Sequence, residues 1–179
     1  MKYLIMCEGP NELAIMNILL ENDLLVYTED DLLGAVPYFA RQIDSSPVVH
    51  SALTEYPYND VAIIRVGDKQ TEELRIPEYF REKISGGICK YCNLPELEVL
   101  LIISEGLWNE YIKVKSKEKP KQFAKKNIKF NRQKYDNSSS FYYSYYGDSP
   151  KKLVAAIKEY KQKHSSHKKD ELYLADLLK

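Results

Sequence analysis

Glu8 and Asp68 are the residues whose placement first suggests chemistry. Each directly follows an apolar run of strand type, Lys2 to Cys7 before Glu8 and Asp60-Val61-Ala62-Ile63-Ile64-Arg65-Val66-Gly67 before Asp68. In an open parallel α/β sheet, ligands bind at the carboxyl ends of the strands. Two carboxylates far apart in the chain can therefore converge there. Glu12 lies one helical turn beyond Glu8 and can face the same mouth. With no Lys or Arg among them, three such carboxylates repel one another unless a hard cation neutralises them, and Mg²⁺ or Mn²⁺ suits an oxygen donor set. Singly, acids after strands are common loop residues, and Glu12 also suits the helix dipole. Their joint placement is what points to a site.

Several elements would have to position these acids. Lys2 to Cys7 reads as a buried strand, and Pro10 to about Asn22 as a helix with Gly9 at its N-cap. Leu24 to Thr28 is expected as a second strand, and residues 29–60 as helical pieces between loops. Residues 60–68 form the clearest strand, followed by a weaker helix around 77–84 and a strand from Gly86 to Cys92. An apolar helix then spans Leu94 to Ser104, opened by Pro95. This alternation predicts an α/β fold with a mostly parallel sheet flanked by helices over residues 1–105. Residues 106–179 read as a basic, Tyr-rich, mainly helical extension packed on that core. Its helices are placed at Pro150 to Lys163 and Glu171 to Leu178.

Ile5-Met6-Cys7-Glu8-Gly9-Pro10-Asn11-Glu12 resembles the first motif of TOPRIM domains, an apolar strand followed by Glu-Gly and a helix. Ile63-Ile64-Arg65-Val66-Gly67-Asp68-Lys69-Gln70 is similar to their second motif, a strand ending in Asp-x-Asp, but carries Gln70 at the second acid. Glu72 or Glu73 could substitute there. Cys92-Asn93-Leu94-Pro95-Glu96-Leu97-Glu98-Val99-Leu100-Leu101 looks like the Asn-Pro-x-x-Glu helix start of RloB-like proteins, with Glu98 in the place of the family's Glu and Glu96 beside it. The resemblance, to TOPRIM nucleases of the OLD and RloB-like type found in phage defence, covers about residues 1–105. It implies a Rossmann-like fold, a Mg²⁺ (or Mn²⁺) site and cleavage of phosphodiester bonds in DNA or RNA, tRNA included. It also implies a role in bacterial antiphage defence beside a separate ATPase partner. Glu8 and Asp68 would be catalytic, and Glu8, Glu12, Asp68 and Glu98 would hold metal. The degraded second motif keeps an alternative open: a TOPRIM-like module that binds nucleic acid or protein without cutting.

Net charge is zero, yet residues 1–98 carry 8 Lys and Arg against 17 acids, and the remainder is basic in the same measure. Ten of those basic residues fall between positions 113 and 134. Lys125, Lys126, Lys129 and Arg132 have helix-compatible spacing and are the candidates for a nucleic-acid backbone. Tyr142 and Tyr145, in the cluster after Ser138-Ser139-Ser140, are candidates for stacking on unpaired bases. The bland reading is a solvated helical face beside a packed Tyr-rich segment. Cys89-Lys90-Tyr91-Cys92 is half a zinc site at most, and packed thiols are favoured over metal or redox use. No Walker loop, nucleophile elbow or Gly-x-Gly-x-x-Gly occurs. Three cysteines and 44% apolar residues, with no membrane-length run, predict a cytoplasmic protein without a membrane partner. Oligomeric state is left open.

Overall fold

A computed structural model of the chain describes residues 1–67, 73–92, 96–163 and 171–179. In chain order the elements are β1 (Lys2–Cys7), α1 (Pro10–Glu21), β2 (Tyr38–Phe39), α2 (Pro47–Glu55), β3 (Val61–Gly67), β4 (Ile88–Cys92) and α3 (Glu98–Ser104). There follow α4 (Trp108–Val114), α5 (Pro120–Asn127), β5 (Lys129–Phe130), β6 (Gln133–Lys134), α6 (Ser139–Tyr146), α7 (Pro150–Lys163) and β7 (Glu171–Tyr173). Proline stands at the start of α1, α2 and α5. There its missing N–H would have had no helical partner and its fixed φ suits the first turn.

The main sheet has the order β2-β1-β3-β4-β7, and every pairing in it is parallel. This is a Rossmann-like α/β sheet flanked by helices. Alternation along the strands divides the core into two layers. Ile5, Cys7, Ile64 and Val66 face a layer made with α1, α3, α5, α6 and α7. Leu4, Met6, Val61 and Ile63 face a smaller layer containing Val49 and Leu53 of α2, together with Phe80 and Ile84. Chain order reverses direction between β1 and β3, where connections leave to opposite sides, so a crevice opens at their carboxyl ends. Among the described residues no helix is long and apolar enough to cross a membrane.

Three expectations about elements are corrected. Leu24 to Thr28 is not a strand, since Leu25 makes a single antiparallel bridge to Leu178. The second strand is instead the two-residue β2, too short to show an apolar alternation. The segment around 77–84 forms only a short 3-10 turn, Glu78–Phe80. Glu171 to Leu178 is not a helix, because β7 extends the sheet beside β4 and a 3-10 turn follows at Leu174–Leu177. Its Leu spacing mimics a helical face. The stretch 106–179 thus supplies the edge strand of the sheet, and its helices share one core with α1 and α3.

Candidate active site

The carboxyl edge of β1 and β3 carries a polar cleft of about 280 Å³. Glu8 extends the β1 register by one residue, its N–H donating to the Val66 carbonyl at 2.9 Å. The side chain then lies across the end of β3. A Cβ on Gly67 would stand 2.3 Å from Glu8 Oε2, so this close approach requires glycine there. Glu12 folds back over the start of α1, where a Cβ on Gly9 would meet its Oε2 at 2.5 Å. In that first turn the helix dipole favours its negative charge.

Glu98 is the first residue of α3 and is only 5% exposed. Its Oε1 accepts a hydrogen bond from the Tyr135 hydroxyl at 2.8 Å. Burial pushes the Glu98 carboxyl above the usual carboxylate range, and the nearby Glu96 charge adds to this. The Tyr135 hydrogen bond and the Lys121 charge oppose it. Burial, then the charge of Glu98, raises the Tyr135 phenol. Cys7 beneath the cleft is also raised, first by burial and then by the Glu12 charge. Glu96 Oε2 accepts the main-chain N–H of Lys121 at 3.2 Å, capping the start of α5.

Glu8, Glu12 and Glu98 therefore line one cleft, together with Glu96, Asn11, Asn137, Arg41 and Lys121. Asp68, Gln70 and Glu72 lie outside the described residues. Among the described residues, no group of three or more His, Cys, Asp or Glu side chains is gathered closely enough to hold a metal ion. The expectation of an acid cluster without basic neighbours is corrected. Arg65, 2% exposed, places Nη2 3.5 Å from Glu8 Oε1. Arg41 donates from Nε to the Glu8 carbonyl at 3.0 Å. Sequence reasoning passed over Arg65, Arg41, Lys121, Asn11, Asn137 and Tyr135. A signal existed for the first alone: an arginine inside an apolar strand rarely becomes buried unless paired.

The basic candidates do not share one helical face. Lys125 and Lys126 lie in the last turn of α5, which ends at Asn127. Lys129 is on β5, and Arg132 is in the turn of the β5–β6 hairpin, where Asn131 and Arg132 have φ of 47° and 68°. All four are exposed. Lys126 Nζ pairs with Glu118 at 2.5 Å. The stacking role of Tyr142 and Tyr145 is also corrected, because they are 0% and 2% exposed and present no free ring face. The Tyr145 hydroxyl donates to Glu105, and Lys152 Nζ lies 4.3 Å from its ring centre. Packing on α1 holds this cluster, and Tyr143, 38% exposed, accepts a hydrogen bond at 3.0 Å from Asn17 Nδ2 of α1. Cys92 is buried and Cys89 exposed. Three residues apart on β4, they point to opposite faces and cannot chelate one ion together.

Fold and cleft together define an α/β protein with an acidic crevice at the switch point of its sheet. No family model, curated protein or solved structure matches the chain.

Proposed function

We propose that the cleft is the active site of a TOPRIM-like, Mg²⁺- or Mn²⁺-dependent nuclease. The observation that carries this reading is that Glu8, Glu12 and Glu98, from separate segments, line one crevice at the switch point with Arg41 and Lys121. The donors are all oxygen, which fits a hard divalent cation. On the resemblance, Glu8, Glu12, Glu98 and Asp68 would hold it; the three described acids are not gathered closely enough to do so as they stand and would have to draw together on the ion. When bound, such an ion polarises the phosphate and lowers the pKa of an attacking water. Arg41 and Lys121 bind phosphate oxygens, and Arg65 orients Glu8, whose carboxylate takes up the proton of the water. The antiphage role and the ATPase partner rest on the resemblance of the three motifs.

A second reading, a binding module that does not cut, is favoured by the Arg65–Glu8 pair, which already neutralises one acid without metal. Incubation with plasmid, single-stranded DNA, tRNA and total RNA in Mg²⁺, Mn²⁺ or EDTA separates the two. Cleavage that EDTA abolishes is the expected result. Salt-sensitive binding with every substrate intact would support the module instead.

The exposed basic surface makes a further prediction under either reading. Neutralising Lys125, Lys126 and Lys129 together should flatten the dependence of log affinity on log salt by roughly two to three units if all three contact phosphates. Metal affinity should not change, since these side chains lie outside the cleft. Titrations of a labelled oligonucleotide at several salt concentrations check this, and an unchanged slope would leave the segment a solvated surface.

A further inference from the structure

The β5–β6 hairpin is built against its own local preferences. Its two turn residues, Asn131 and Arg132, have φ of 47° and 68°, the left-handed pair that a type I′ turn needs. Asparagine suits the first place, but glycine is favoured at the second, and an arginine there is strained. Lys129 stands directly opposite Lys134 across the two strands, and like charges so placed repel. Lys129, Arg132 and Lys134 are all exposed. The base of the hairpin, by contrast, is locked into the core. The Tyr135 N–H donates to the Ile128 carbonyl at 3.1 Å, both residues are buried, and Phe130 packs edge-on to Tyr145 at 5.1 Å between ring centres. Lys121 before the hairpin and Asn137 after it both line the cleft. Three cations are thus held on a firmly rooted prong beside the cleft, at a cost the fold itself does not recover.

We infer that the β5–β6 hairpin is a prong that grips the phosphate backbone of a nucleic-acid duplex and leads it to the cleft. The inference rests on the nucleic-acid side of the proposed function and needs neither metal nor cutting. A polyanion neutralises the facing lysines, so the repulsion that weakens the free hairpin becomes attraction in the complex. The choice of a duplex follows from what the prong lacks. Phe130 is packed on Tyr145, so the hairpin offers lysine, arginine and asparagine but no free ring on which unpaired bases could stack. Binding by charge alone follows charge density, and a duplex carries one charge per about 1.7 Å of axis against about 3.4 Å for a strand. The tip, Asn131-Arg132, also presents no apolar side chain to enter a bilayer.

The experiment titrates the full chain, in EDTA and at several salt concentrations, with labelled DNA and RNA duplexes, their separated strands and phosphatidylserine vesicles. Each protein is also melted without nucleic acid. Wild type should bind a duplex more tightly than either of its strands. Arg132→Gly removes one charge but gives the turn the residue it favours, and Lys134→Glu turns the cross-strand repulsion into attraction. Both variants should therefore melt above wild type, Arg132→Gly by about 2–4 °C. Both should nevertheless bind the duplex more weakly, with the slope of log affinity against log salt smaller by about 0.9 for Arg132→Gly. A merely structural turn cannot move stability and binding in opposite directions, so a melting temperature that falls together with affinity would overturn the inference. Should Arg132→Gly fail to give a native melt, Lys134→Glu carries the test. Strands bound as tightly as duplexes would overturn the choice of duplex. Vesicle binding that both variants lose, with duplex binding kept, would give the prong to a membrane instead. A wild-type chain that binds no nucleic acid overturns the nucleic-acid reading itself, whereas wild-type binding with an unchanged salt slope in the folded variants overturns only the prong.

Discussion

Glu98→Gln is expected to abolish metal-dependent cleavage while making the metal-free protein more stable at neutral pH. The two effects have one cause. Glu98 is buried, and its carboxyl is raised above the ordinary value of 4.5 chiefly by loss of solvent. The folded state therefore holds a proton there more tightly than the unfolded chain does. For a raised carboxyl, this contribution to stability is full below the unfolded pKa and is lost as pH rises through the folded pKa. Wild-type stability in EDTA should thus decline across that window, and the Gln variant should lack the decline. Gln keeps an oxygen for the Tyr135 hydroxyl to bond. Activity should fall by roughly 10³-fold, as several kcal/mol of transition-state stabilisation implies. Glu8→Gln should also inactivate, but with lower stability, because the buried Arg65 guanidinium loses a counter-charge. Denaturant melts at several pH values, paired with cleavage assays, check both. A Glu98→Gln protein that still cuts would remove Glu98 from the site.

Local pattern foretold the elements that local pattern builds. The apolar runs of β1 and β3, the Pro-started α1 and the amphipathic α7 lie where their residue spacing puts them. The parallel sheet and the approach of Glu8 and Glu12 to one cleft follow from that alternation, whereas only the family resemblance marks Glu98. What escaped is tertiary. Strand β2 is two residues long and exists because its backbone meets the end of β1, Met6 opposite Tyr38 and Cys7 opposite Phe39. Strand β7 is chosen by the open edge of β4 and not by its own Leu spacing. The positive charges in the cleft come from β3, from the loop after β2 and from the start of α5, segments with nothing in sequence to join them. Tyr135 is the extreme case. It reads as one aromatic in a basic stretch, and its hydroxyl matters only because the fold brings α3 against it.

The same difference between pattern and packing governs the last prediction, that Tyr142→Ala costs about 3–5 kcal/mol of stability, as large aromatic truncations in cores do. A Tyr-rich run next to a basic stretch reads as a stacking platform for bases, and at such a platform alanine would cost little folding free energy. Tyr142 instead sits at 0% exposure, 6.5 Å between ring centres from Tyr146, with its hydroxyl committed to Tyr135. Truncation leaves a cavity under α6 and removes the hydroxyl that the Tyr135 hydroxyl bonds at 3.2 Å. Against a total of about 5–15 kcal/mol for an ordinary domain, such a loss brings the fold near its limit. Tyr143→Ala, at a 38% exposed position where the hydroxyl accepts from Asn17 Nδ2 at 3.0 Å, should cost less, about 1–2 kcal/mol. Urea unfolding of the two variants beside wild type measures the contrast. Any loss of nucleic-acid binding in Tyr142→Ala should then follow the fraction unfolded, equally for single strands and duplexes. A Tyr142→Ala protein of wild-type stability that loses single strands alone would return this side chain to the binding surface.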